Sequence, residues 1–507
     1  MLKYIYFPTG RQVWADLAKS LYESGSAEPV IWVGDPSLDN QAASLVKDGL
    51  VIDFIGIHSS MAQFELNPDI QDFQVFQKIT TSTVREKAIK MMDRHDPYGA
   101  YRNIDRDIFF KSFVLFSIDL INRYRPDFLL MAESPHSPFQ FVLYKVAKVL
   151  GVEVFSFVSW SIAPLACIRE DIDGQLLNLE SPIDPNLKQK ISERCEQFFD
   201  RFSGLNSDIE PEYMKRQRSQ DEKSFTFFFK MKKAYYLLRE MASRLIINSI
   251  KMERGLLNGT RFDFMEPAIK QIMVNRNQRD LRVNMEVSID LKSIPKSAYA
   301  YFPLHYEPER TTNPDGLDFH DQITSILALR SWLPRETEII VKEHYSQFTS
   351  ALQGFKGRSK EFYFLLRNIK GVSLADPNIN SKNLIEGAVL TATITGTAAL
   401  ESALLGVPAV IFGNPWFRGI PGVWDFSSTS EFADFKAECS KQSWEIEDIK
   451  GWVFEKISKN CFFLSINPSN ERYFVDFYEG SEGRLLESEL LFTNVRSLII
   501  SKVKRGK

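Results

Sequence analysis

Four stretches of this chain end an apolar run on side chains that can move protons or hold charge. In the first, residues 128–132 are followed by Glu133-Ser-Pro-His136, a carboxylate and an imidazole three positions apart. The pair suits general acid/base work, with helix capping by Glu133 and packing by His136 as the competing roles. In the second, the run Ile339-Ile-Val delivers Lys342, Glu343 and His344 as it ends. Lys342 and His344 suit a phosphate, and a surface ion pair or a satisfied histidine at a strand end is the plainer alternative. The third, residues 389–394, breaks at Thr395-Gly396-Thr397 and restarts with a helical composition that carries Glu401 one turn beyond Thr397. Such a turn offers peptide N–H groups, two hydroxyls and the positive end of a helix dipole at the carboxyl edge of a sheet, where phosphate is welcome. Glu401 is placed to accept ribose hydroxyls, or simply to complement the dipole. The fourth, Tyr301-Phe-Pro-Leu-His305-Tyr-Glu-Pro-Glu309, adds His305 and a Glu309 restrained by Pro308, suited to a sugar or base unless the loop is purely structural.

The elements that must hold these groups alternate as in α/β proteins. Strand patterns at 3–7, 29–33 and 50–55 are separated by helical patterns at 12–24 and 42–47, the opening of a doubly wound sheet. After a polar, aromatic stretch at 58–104, read as helices and loops, the rhythm returns with a helix at 105–124, a strand at 128–132, a helix at 138–150 and a strand at 152–158. A second series starts at 298–302 and runs through a helix at 321–333, a strand at 338–341, further elements at 361–367, 372–374 and 381–387, and the strand-turn-helix-strand unit of 389–412. From 444 onward the composition is mostly helical, with a last long helix at 485–500. The pattern predicts an α/β protein with a first domain at 1–295 that carries a helical insertion at about 182–290, a second domain at 296–460 and a helical tail at 461–507.

Length supports this division, because 507 residues exceed what a single core usually organises. A net charge of −3 argues against a general nucleic-acid binder. Cys167, Cys195, Cys439 and Cys461 show no paired spacing, so neither a zinc site nor a disulfide framework is suggested, and a reducing cytoplasm fits. The first residues read as a strand and not as a signal peptide, while Glu401, Gly406 and Pro408 make 388–412 a buried unit and not a membrane span. Residues 211–255 carry 11 Lys and Arg against 5 Asp and Glu, interleaved with Phe and Tyr. That segment fits either a solvated basic helical face or peripheral contact with an anionic membrane.

In order, Tyr301-Phe-Pro-Leu-His-Tyr-Glu-Pro-Glu309, Asp321-Gln322, Val341-Lys-Glu-His344, Thr395-Gly-Thr-Ala-x-x-Glu401 and Gly406-Val-Pro408 resemble the C-terminal half of bacterial capsular polysaccharide synthesis glycosyltransferases, including Kdo transferases. Arg125-Pro-Asp-Phe-Leu-Leu130 and Cys167-Ile-Arg-Glu-Asp171 resemble the N-terminal counterpart more weakly. The family usually has His-Pro where this chain has His344-Tyr345, so the rigidity a proline would give is lost. The resemblance implies a GT-B architecture: two Rossmann-like domains facing across a cleft, the first on the acceptor side and the second holding a nucleotide-sugar donor. It further implies a CMP-sugar before a UDP-sugar, Kdo or a related acidic sugar, and a growing surface polysaccharide or glycolipid as acceptor. The setting it implies is the cytoplasm, on or near the inner face of the cytoplasmic membrane.

On that reading His344, Lys342 and the 395–397 turn stabilise the leaving phosphate, His305, Glu309, Glu343 and Glu401 complete the donor-binding set, and Glu133 or His136 serves as acceptor-side base. No Asp-x-Asp motif stands at a strand end with metal-binding surroundings, so transfer without metal or cofactor is the expectation. A nucleotide-sugar epimerase or hydrolase of the same fold is the rival enzyme, and a non-catalytic scaffold of a polysaccharide assembly complex the rival from another class.

Overall fold

Apolar runs without a polar alternation are what a strand buried on both faces requires, and the computed structural model folds them as parallel sheets. The structure describes residues 1–34, 36–53, 69–95, 102–179, 185–202, 289–349 apart from 291 and 296, 354–429, 431–478 and 482–503, with scattered positions between 231 and 285. The chain divides into two compact units, one formed by Met1–Met92, Tyr101–Asp200 and Lys450–Lys507, the other by Asp93–Ala100 and Arg201–Ile449.

The first unit contains β1 (Leu2–Phe7), α1 (Gln12–Glu23), β2 (Ala27–Gly34), α2 (Asp39–Leu45), β3 (Leu50–Asp53), α3 (Ile70–Thr80) and most of α4 (Val84–His95). It continues with α5 (Asn103–Tyr124), β4 (Phe128–Met131), α6 (Pro138–Val149), β5 (Glu153–Ser159), β6 (Leu165–Glu170) and α7 (Pro185–Asp200). Its sheet has the order β13-β6-β5-β4-β1-β2-β3, where β13 is Cys461–Phe463 from the far end of the chain. Strands β1 to β5 run parallel, while β6 is antiparallel to β5 and β13 antiparallel to β6.

The second unit is built on β7 (Tyr299–Pro303), α8 (Gln322–Trp332), β8 (Glu338–Lys342), α9 (Lys360–Arg367), β9 (Val372–Ala375), α10 (Ser381–Glu386), β10 (Leu390–Thr393), α11 (Ala398–Leu404), β11 (Ala409–Ile411), β12 (Val423–Asp425) and α12 (Phe432–Lys441). All six strands are parallel, in the order β12-β11-β10-β7-β8-β9. Strand β10 is buried at every position, and its neighbours Phe302, Val341, Val410 and Phe412 belong to one core with Ile326, Leu329 and Leu374. Helix starts follow local chemistry: Asp321 caps α8 and Asn380 caps α10 through their side-chain oxygens. Gly406, at a φ of 76°, ends the α11 segment in the left-handed region, and Pro408 follows to prevent its resumption. The 388–412 window is thus a β-α-β unit, and among the described residues no helix is long and apolar enough to cross a membrane.

The α/β class is as expected, with two open sheets, one wholly parallel and one parallel apart from β6 and β13. The chain then runs through α13 (Ile446–Asn460), β13, α14 (Pro468–Tyr473) and α15 (Glu482–Leu498), the last close to the expected 485–500 helix. Strand β13 stands inside a region of helical composition; at three residues it is too short to show a period and exists because β6 offers an edge to pair with. Of the expected helical insertion, α7 is described, and the basic 211–255 segment lies almost wholly outside the described residues.

Candidate functional site

Strand order decides where chemistry collects in such sheets. In the second unit the chain lays down β7, moves outward through β8 and β9, then returns to the other flank of β7 with β10. Open α/β sheets bind their ligands beyond the carboxyl ends of the strands at such a reversal. His305 follows β7 and the 395–397 turn follows β10, so the reversal brings two of the four predicted stretches together.

The contact between them is direct. His305 Nε2 accepts from the Thr395 N–H at 3.3 Å and lies 3.0 Å from Thr393 Oγ1, which accepts from the Gly396 N–H at 3.3 Å. With its lone pair so engaged at Nε2, the neutral ring carries its proton on Nδ1. Burial, and then the Arg358 charge, push the His305 pKa down to about 4. A Cβ on Gly396 would stand 2.8 Å from Thr393 Oγ1 and 3.4 Å from His305 Cε1, which is why the turn carries glycine there. Thr395 Oγ1 donates to the Thr311 carbonyl at 2.7 Å, whereas Thr397 is exposed and its hydroxyl donates to Glu401 at 3.0 Å. Glu401 is half-buried, and burial raises its pKa.

Strand β8 lies beside β7 and supplies the Lys342–His344 stretch. The buried Lys342 ammonium donates to the Ile379 carbonyl and to Ser381 Oγ, both at 2.8 Å. His344 is partly buried and caps the short turn Tyr345–Phe348, its Nδ1 accepting from the Ser346 N–H at 3.1 Å. The ring proton therefore sits on Nε2. Burial, with His305, Lys342 and Arg358 nearby, pushes its pKa down to about 3. Both imidazoles are neutral hydrogen-bonding groups at neutral pH.

Glu343 occupies a different place from the donor-facing one its neighbours suggest. It is 1% exposed, and its carboxylate accepts from Arg358 Nε at 2.9 Å, Tyr363 Oη at 2.8 Å and the His344 N–H at 2.8 Å. Arg358 also pairs with Glu307 at 3.3 Å and donates to the His305 carbonyl at 2.8 Å. Gln322 accepts from the His305 N–H at 2.8 Å and donates to Glu307 at 2.9 Å, while Gln347 accepts from the Glu307 N–H at 3.0 Å. This buried frame fixes the loop after β7 and was largely missed from sequence. Gln322 stands within a quoted motif, but Arg358 lies in an unpatterned stretch and carried no signal. Glu309 is half-buried, its carboxylate accepting from the Arg310 N–H at 2.9 Å.

The remaining stretch, Glu133 to His136, belongs to the first unit. There the chain lays down β1, β2 and β3, then crosses to the other flank of β1 with β4, so this sheet also reverses between two parallel strands. Glu133 and His136 follow β4, with Glu133 Oε1 3.7 Å from His136 Nε2. Ser137 begins α6 with a reciprocal cap to Gln140, whose side chain also accepts from the His136 N–H at 3.3 Å. His136 is thus held by the helix start, and at 52% exposed its ring faces solvent. Among the described residues no group of three or more His, Cys, Asp or Glu is placed to hold a metal ion.

No model of a known protein family matches the chain. No curated protein matches it either. Among solved structures it is similar to a β-Kdo 2,7 transferase, KpsC of Thermosulfurimonas dismutans, with 13% identity, 61% of this chain and 72% of that one covered, and a TM-score of 0.24. It is similar to the UDP-GlcNAc 2-epimerase of Neisseria meningitidis bound to UDP-GlcNAc, with 12% identity, full coverage of both chains at 100% and a TM-score of 0.20. The glycosyltransferase of kitacinnamycin is a third, with 12% identity, 89% and 93% coverage and a TM-score of 0.19. Similarity at this level is silent on substrate, and the chemistry of the residues has to carry the function.

Proposed function

We propose that the chain is a glycosyltransferase that moves a sugar from a nucleotide donor to a glycan or lipid-linked glycan acceptor. The observation that carries this reading is the meeting of His305 with the 393–396 turn at the reversal of the second sheet, beside the strand end that bears Lys342 and His344. Breaking the bond between the anomeric carbon and the donor phosphate leaves a cationic sugar and an anionic leaving group. Fixed donors aimed at that phosphate lower the barrier because they need no reorganisation as charge develops. In this reading Lys342 supplies the positive charge, His344 donates through Nε2–H, and the turn, with its Thr395 and Gly396 N–H groups spent on its own shape, presents the start of α11 and the Thr397 hydroxyl. His305 acts differently: as a neutral acceptor it holds the turn in shape. Glu401 takes the ribose hydroxyls, Glu309 lies toward the sugar or base, and Glu343 keeps His344 and Arg358 in place. Glu133, paired with His136, is the acceptor-side base if transfer inverts the anomeric centre.

CMP is the first donor to test and UDP the second, with Kdo or a related acidic sugar as cargo and transfer without a metal. A thermal-shift panel of CMP-, UDP-, GDP- and dTDP-nucleotides tests donor binding, because a ligand of the folded state must raise the melting temperature. A rise with CMP or UDP that disappears in His344→Ala is expected. No rise with either removes the donor assignment and favours the scaffold. Fast epimerisation or sugar release without acceptor would instead favour the epimerase or hydrolase.

A further inference from the structure

Glu133 has a second neighbour besides His136, and it comes from the far end of the chain. After β13 the backbone passes along the first sheet, with the Leu464 N–H donating to the Pro164 carbonyl at 3.0 Å. The next residues are fastened to the β1–α1 region: Thr9 Oγ1 and Trp14 Nε1 both donate to the Ile466 carbonyl, at 2.7 and 2.9 Å. The Ser465 N–H donates to Glu487 at 2.8 Å, and Arg11 bonds both Glu487 and the Ser465 carbonyl. These bonds deliver Asn467 to the carboxyl end of β4.

There Asn467 does two things. Its Oδ1 accepts from the Asn470 N–H at 3.0 Å and caps α14, which settles the orientation of the amide. Its Nδ2 is thereby directed outward and donates to Glu133 Oε2 at 3.4 Å, while Oε1 faces His136 at 3.7 Å. The carboxylate is held between an amide from the tail and an imidazole from its own loop. Asn470 adds a bond to Ser159 Oγ at the end of β5, so α14 touches two neighbouring strand ends. Other charged groups at this edge are Arg169 on β6, which donates to Ser134 Oγ at 3.4 Å, and the pair of Arg11, just before α1, with Glu471 of α14.

We propose that Asn467 is a positioning residue for Glu133, and that the tail segment 464–470 is part of the acceptor-side site. This rests on the reading of Glu133 as the acceptor-side base. The amide orients one carboxylate oxygen and favours the ionised form, which is the form a base needs.

The chain has six histidines, so the full-length protein with 13C-labelled histidine gives a ring spectrum simple enough to titrate, with His136 assigned from His136→Gln. Asn467→Ser and Asn467→Asp both keep an N-cap oxygen, so α14 retains its start, and both remove the amide donor. Without the amide the Glu133 charge bears more fully on His136, so the His136 pKa should rise by a few tenths of a unit in Asn467→Ser and by about half a unit or more in Asn467→Asp. Glu133→Gln should lower it. If Glu133→Gln shifts the titration and Asn467→Ser overlays the parent, Asn467 does not act on Glu133 and the proposal fails while the base survives, whatever Asn467→Asp does, because its added charge raises the His136 pKa by itself. If Glu133→Gln leaves it unmoved, the pair does not exist and the base assignment falls as well.

Discussion

At the scale of single residues, two imidazoles at the strand ends of the second sheet are kept neutral by burial and by the cations beside them. The sign of the resulting pH dependence follows from their depressed values of about 4 for His305 and about 3 for His344, against an ordinary 6.5. Between 6.5 and those values the unfolded chain binds protons that the folded one does not. Their contribution is therefore fully present above pH 6.5 and is lost as pH falls toward 4. Melting curves at pH 7 and pH 4.5 should show a larger loss for the parent than for a His305→Gln/His344→Gln double variant; equal losses would refute the assignment. Arg358 gives a second test. It is buried between Glu343 and Glu307, and Arg358→Met leaves both carboxylates uncompensated, a change expected to cost about 3–5 kcal/mol in urea unfolding. His305 and the Thr-Gly-Thr turn were legible because each follows an apolar run. Arg358 was not, because a partner for a buried carboxylate is chosen by the fold and leaves no local pattern. Glu343 was legible as a strand-end carboxylate, but sequence cannot tell which side of the strand end faces a ligand.

At the scale of elements, the turn after β10 and the start of α6 each hang on small groups. Gly396→Ala would press a methyl against Thr393 Oγ1 at 2.8 Å, displacing the turn that His305 holds. The expected outcome is a folded protein whose nucleotide-induced rise in melting temperature is lost; an undiminished rise would separate the turn from the donor. Ser137→Ala removes one half of a reciprocal cap and should cost about 1 kcal/mol in urea unfolding. The parallel strands other than β12 were readable from their uninterrupted apolar character, and the helices between them from period and caps. The antiparallel β6 and the three-residue β12 and β13 were not, since their conformation is imposed by the strand edge they meet.

At the scale of the whole molecule, the first unit is assembled from separated parts of the chain. Its sheet ends in β13, and Arg11 finds its buried partner Glu487 at the opposite end of the sequence. Removing 461–507 would expose the β6 edge and strand the Arg11 guanidinium without its carboxylate. Loss of soluble monomer by size-exclusion chromatography is expected, and a well-behaved truncated monomer would contradict it. The same discontinuity bears on synthesis. The unit whose strands are made earlier lacks its edge strand until residues 461–463 have emerged, whereas the strands of the other unit follow one another without interruption. During translation the later-made lobe therefore has all its sheet available first, and the earlier-made one waits half-built, the interval in which a holding chaperone would matter most.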